Sequence, residues 1–180
     1  EPFLSRLEET ERRRGEAALS SQGHWWRQHF SLEHDWNQIP GEDNHFRYRP
    51  LRGMLVRLSQ GTRPEDLLVV LAAAATAKTP VTLSAAEGAV SEAWTSSLSE
   101  LGITVEPPDG CLARLEGPVD RARVLGAVEP ALRSACHEAG VDILAMPVLS
   151  QGRFELLRVV REQSVSHAYH RYGNLGEREL

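Results

Sequence analysis

At 180 residues, with 41% hydrophobic and 25% charged side chains, the chain has the size of one domain and can bury a core without disulfides or metals. Twenty Lys and Arg against 25 Asp and Glu give a net charge of −5. That balance argues against nucleic acid as a partner and against an electrostatic membrane anchor, both of which need a concentrated basic face. The longest apolar run, LLVVLAAAATA from Leu67 to Ala77, is too short for a transmembrane segment and reads as a buried helix. Two cysteines, Cys111 and Cys136, allow one bridge at most, which points to a reducing, cytoplasmic setting. The chain begins at Glu1 with no signal peptide and reads as a piece of something longer.

In chain order, residues 1–50 form an N-terminal helix to about Gln22 and then a connecting arm. The arm, Gly23–Pro50, holds three of the four Trp with little regular period and is expected to be irregular, packing its aromatics onto another surface. Residues 51–150 alternate strand and helix signals. MLVRL (Met54–Leu58) predicts a strand and Arg63–Lys78 a helix, with Thr62 as N-cap and Pro64 in the first turn. VTLSA (Val81–Ala85) predicts the next strand, and Ser91–Leu101 a helix stopped by Gly102. ITVEP and CLARLEG read as two further strands, Pro118–Ala139 as a helix ended by Gly140, and VDILAMPVL as a last buried strand. This alternation predicts an α/β, Rossmann-like, mostly parallel sheet with flanking helices. Residues 151–180 are expected to start as an amphipathic helix and continue as an extended C-terminal tail.

No catalytic, cofactor-binding or metal-binding residue is assigned. The strand-to-helix loops RLSQGTRPED and SAAEGAVSEA carry one glycine each, Gly61 and Gly88, where a dinucleotide fingerprint needs three. Cys136 and His137 are helix neighbours pointing about 100° apart, and Cys111 has no nearby His, so both thiols read as structural. His24, His29 and His34 recur every five residues and share no helical face. His167 and His170 lack a companion ligand at a metal-site spacing. The tail is dense in Arg161, Glu162, Gln163, Ser164, Ser166, His167, Tyr169, His170, Arg171, Tyr172, Gly173 and Asn174, with Gly173 as a turn point. It is either a docking segment or a strip lying on its own domain. Two other readings stay open: a ligand-binding module taking an anion or nucleotide at the Gly61 or Gly88 loop, and an enzyme using one of the cysteines.

The stretch GRFELLRVVREQSVSHAYHRYGNLG (Gly152–Gly176) closely resembles the C-terminal motif of the bifunctional proline dehydrogenase/L-glutamate-γ-semialdehyde dehydrogenases, the PutA family. WWRQHFSLEHD, GEDNHFRYRPL, TPVTLSA and PVLSQGR are similar in character, so the resemblance spans about residues 25–180. It implies a Rossmann-like domain without activity of its own, similar to part of an aldehyde dehydrogenase. Such a domain supports the upstream aldehyde dehydrogenase module of the same chain, and its terminal segment helps to seal the substrate tunnel. Only Arg161–Gly176 maps residue by residue, as an interface. The resemblance implies no cofactor in this segment. It places NAD, and FAD where a proline dehydrogenase is fused, upstream in a proline-catabolic oxidoreductase. A monofunctional dehydrogenase carrying the same appendage fits equally.

Overall fold

The computed structural model describes residues 7–89, 94 and 101–168. Helix α1 (Glu9–Trp25) starts at a capping box in which Glu8 and Glu11 satisfy each other's backbone N–H, and a π-turn (Trp26–Phe30) continues it. Next come strands β1 (Glu42–Pro50) and β2 (Met54–Leu58), helix α2 (Pro64–Ala77), and strands β3 (Val81–Ala85) and β4 (Thr104–Val105). Helix α3 (Pro108–Ala113) runs into a 3₁₀ turn (Arg114–Glu116). Strand β5 (Arg121–Leu125), helix α4 (Pro130–Glu138), strand β6 (Asp142–Leu144), helix α5 (Gly152–Leu157) and strand β7 (Val160–Ala168) complete the described chain.

Five strands form one parallel sheet in the order β4-β3-β2-β5-β6. The α/β, Rossmann-like reading of the sequence therefore holds. Side chains alternate across each strand. Met54, Val56 and Leu58 point into a core shared with α1, α2 and α5, while Leu55, Ala122 and Val124 meet Cys111 of α3 with Leu132 and Cys136 of α4 on the other face. Helix α2 is apolar nearly all round because it lies between the sheet and α1, with Leu67, Val69, Val70, Ala73, Ala74 and Ala77 buried. Strands β1 and β7 leave the sheet altogether and pair antiparallel as a separate two-stranded ribbon, Glu42 opposite Ala168 through Pro50 opposite Val160.

Several expectations are corrected. Gly23–Pro50 is not an irregular arm throughout: α1 and the π-turn carry Trp25 and Trp26, and Glu42–Pro50 is a strand. CLARLEG is helix and 3₁₀ turn, because Pro108 presets the first helical position and Cys111 packs inward from a helical face. Pro118–Ala139 is not one helix. Gly126, at φ +96°, ends a strand, and Pro130 opens a shorter helix. Thr62 does not cap α2; Arg63 holds that position. ITVEP and VDILAMPVL contribute only Thr104–Val105 and Asp142–Leu144 as strand. The expected helix over Ser91–Leu101 falls almost entirely outside the described residues.

Helix α5 touches α1 backbone to backbone. A Cβ on Gly152 would sit 2.5 Å from the Ser21 carbonyl carbon and against the Gln22 main-chain nitrogen, and neither can retreat. Gly152→Ala is therefore expected to cost about 1–3 kcal/mol by overpacking. An unchanged urea midpoint would show that the two helices can separate freely.

Candidate functional site

In a sheet of this order the chain winds outward from β2 in one direction and then returns to wind in the other. Ligands of such folds sit outside the carboxyl ends of the strands where that reversal occurs. Here the reversal lies between β2 and β5. Ser59 and Gln60 after β2, Ala86, Glu87 and Gly88 after β3, and Ala127, Val128 and Glu129 after β5 line an open cleft of about 490 Å³. Gly61 and Gly88, the two loop glycines singled out above, have φ of +86° and +70° at its margins.

At the head of the cleft the loops after β2 and β5 are tied to each other. Ser59 N–H donates to Leu125 O (2.8 Å), Ala127 N–H to Gln60 O (3.0 Å), and Thr62 Oγ1 lies 2.7 Å from Ser59 O and 2.6 Å from Leu125 O. The N-terminus of α2, the usual anion seat, is met by its own buried carboxylates. Arg14 reaches Glu65 at 3.2 Å and Asp66 at 2.7 Å, and Arg63 holds Asp66 from the outside at 2.9 Å. The helix start is thus occupied by a neutralised cluster of two carboxylates and two guanidiniums.

Beneath the open part stands Arg57, fully buried. It donates to both Glu129 oxygens (3.1 and 2.9 Å), to Ser84 Oγ (2.7 Å) and to Glu106 O (3.3 Å), tying β2, β3 and the start of α4 together. The Glu106 carboxylate accepts two bonds from Arg114, at 2.6 and 2.9 Å, which holds its pKa below the ordinary range. A depressed carboxylate contributes stability above its unfolded pKa and loses it as pH falls through the folded value. Arg114→Ala should therefore destabilise near neutrality, and the gap from the unmodified chain should shrink as pH falls below the ordinary carboxylate range. A gap of constant size across chemical unfolding curves would refute the link. Both cysteines are buried, and burial raises both thiol pKa values, opposite to what a nucleophile needs.

The tail residues lie elsewhere. Arg161, Glu162, Gln163, Ser164, Ser166 and His167 sit on β7 with exposed side chains, their backbones paired with β1. Gln163 accepts from Arg47 (2.8 Å), and Ser166 Oγ donates to Asn44 (2.6 Å). Tyr169, His170, Arg171, Tyr172, Gly173 and Asn174 lie outside the described residues. Beside the ribbon the arm's aromatics pack on one another. Phe30 and Tyr48 ring centres are 4.6 Å apart, His34 and Trp36 4.8 Å, and Trp36 and Phe46 4.8 Å. The π-turn brings His29 within 4.7 Å of His34, a pairing that helical spacing did not suggest, and burial lowers the His29 pKa. Trp36 remains 62% exposed. Among the described residues no three His, Cys, Asp or Glu converge as metal ligands, and no helix is long and apolar enough to cross a membrane.

No protein-family model matches the sequence, and no curated protein matches it significantly. Solved structures do. The structure of proline utilization A (PutA) from Corynebacterium freiburgense aligns at 25% identity with a TM-score of 0.61, covering 93% of this chain and 15% of that one. The fold is that of a dehydrogenase-related domain. Histidinol dehydrogenase from Elizabethkingia anophelis has the same fold, at 15% identity and a TM-score of 0.54, over 81% of this chain and 37% of its own. This chain thus corresponds to about one-seventh of the PutA chain it matches.

Sequence reasoning missed the buried arginines. A charged residue inside a short apolar run, as in MLVRL and RARVL, was the available signal, since such a residue is buried only with a partner.

Proposed function

We propose that this chain is a non-catalytic docking domain of a proline-catabolic oxidoreductase, one that converts proline to glutamate through L-glutamate-γ-semialdehyde. In this reading it steadies the NAD-dependent aldehyde dehydrogenase module and helps close its substrate tunnel. The observation that carries the reading is the alignment of 93% of the chain with a small part of a proline utilization A structure. Two features support it. The start of α2 is taken up by its own ion-pair cluster, and the loops after β2 and β5 are stitched to each other, neither of which favours a dinucleotide. The β1–β7 ribbon stands outside the parallel sheet with polar side chains outward along Arg161–His167, as an interface strip would.

Calorimetry of the chain with NAD, NADP and ADP tests the non-catalytic part. No binding heat is expected for any of them, and no NAD-dependent oxidation of glutamate semialdehyde. Saturable NAD binding abolished by Glu87→Lys would instead make the switch-point cleft a working cofactor site.

A further inference from the structure

Leu144, Leu149, Phe154 and Leu157 line an open groove of about 390 Å³ between β6 and α5. Phe154 is 53% exposed, Leu149 38% and Leu157 37%, with Met146 of the same loop at 44%. Large apolar side chains left in water in such density mark an interaction surface. Arg121 and Asp142 belong to this groove and also to a second hollow of about 370 Å³ that includes Arg52, Asp120 and Arg161. The two hollows therefore adjoin at Arg121 and Asp142, beside β6. That strand ends the sheet: it pairs with β5 on one side and with no strand on the other among the described residues. An unpaired edge is a template for another strand.

The two hollows differ in chemistry. One is apolar. At the other, Arg52 is occupied by Asp120, to which its backbone N–H and its Nε donate at 2.7 Å each. Arg121 donates to Leu157 O and Val160 O. Arg161 meets no carboxylate within ion-pair distance among the described residues, and it lies directly across the ladder from Arg49. Like charges placed opposite each other on a ladder are destabilising, and a carboxylate set between them reverses the sign. In a chain of net charge −5 this hollow gathers Arg52, Arg121 and Arg161 against Asp120 and Asp142, with Arg161 near enough to Asp120 to help lower its pKa.

We propose that these adjoining hollows dock an extended polypeptide segment of a partner, apolar first and acidic next. The segment runs along β6, lays an apolar side chain over Leu149 and Phe154, and brings a carboxylate to Arg161. A sheet edge gives the main-chain contacts in such recognition, and flanking pockets give the selectivity. The proposal does not depend on assigning the chain to a proline-catabolic enzyme, and its test uses neither NAD nor turnover.

The probe is a fluorescein-labelled nonapeptide with a phenylalanine between two valines, followed by three acidic residues. Its anisotropy is titrated with the full chain. Saturable binding tighter than about 1 mM is expected, weakening with salt. Phe154→Ser and Arg161→Glu should each weaken it about tenfold. Both side chains are exposed, so neither variant should lower the unfolding midpoint, which separates lost docking from lost folding. A peptide with lysines in place of the acids should fail to compete. No saturation by about 1 mM, or equal binding by both variants, overturns the proposal. So does a concentration-dependent dimer abolished by Phe154→Ser in the absence of peptide binding, which would assign the surface to a second copy of the chain.

Discussion

Glu155→Ala is expected to destabilise the chain by about 3–5 kcal/mol, the cost of leaving a buried charge without its partner. Arg123 is fully buried on the α5 side of the sheet, and Glu155 is 1% exposed. The carboxylate accepts from Arg123 (3.3 Å), from Leu149 N–H (3.0 Å) and from Arg158 (2.7 Å), so one side chain binds β5, the loop after β6 and the end of α5. Arg123 also donates to Met146 O at 2.7 Å, and its Nε has no partner among the described residues. Burial lowers the Arg123 pKa, but a guanidinium does not deprotonate in a protein. With Glu155 gone the charge stays, dry and under-satisfied. Replacing both partners with apolar residues, Arg123→Met with Glu155→Leu, should recover most of the loss, because the desolvation cost leaves with the charges. Urea unfolding of the two variants decides it. A single variant within about 1 kcal/mol of the unmodified chain would mean that water reaches Arg123.

That pair also explains which parts of the fold could be read from sequence. MLVRL, VTLSA and the helix from Pro64 were legible because their burial is written as apolar runs. RARVL was not: two arginines in five residues imitate the polar face of a helix, and only Glu155, 32 positions from Arg123, makes one of them a core residue. The same distance hid the state of α2's N-terminus. Glu65 and Asp66 read as ordinary first-turn acids favoured by the helix dipole, while Arg14, 51 positions from Glu65, makes them a closed cluster. The scarcity of glycine in the two loops was legible; the bonds from Thr62 that stitch the switch point were not. The ribbon was hidden for another reason. VREQSVSHA buries only Val160 and EDNHFRYRP is half-buried at most, so neither carries an apolar run and their strand character comes largely from pairing with each other.

Cutting the chain after Val160 is expected to spare the folded core and impair the enzyme in which the proposed function places it. Val160 is the last residue of β7 with a buried side chain, and those after it are exposed through Ala168. The bonds that seat the ribbon's root, from Thr79 Oγ1 to Val159 O and from Arg121 to Val160 O, lie on the retained side of the cut. The isolated chain should thus lose ribbon signals, with global unfolding changed by about 1 kcal/mol or less, as for surface changes generally. If Arg161–His167 form the proposed interface of the longer enzyme, their loss removes several charged hydrogen-bonding groups from it, where each buried pair broken costs about 2–5 kcal/mol. Coupled conversion of proline to glutamate should fall at least about tenfold, since 1.4 kcal/mol already corresponds to that factor, while proline oxidation alone continues. Coupled assays on the truncated enzyme and unfolding of the truncated chain separate the possibilities. Unaltered coupled kinetics with a badly destabilised chain would show that β7 serves only to cover β1, and the docking role would fall.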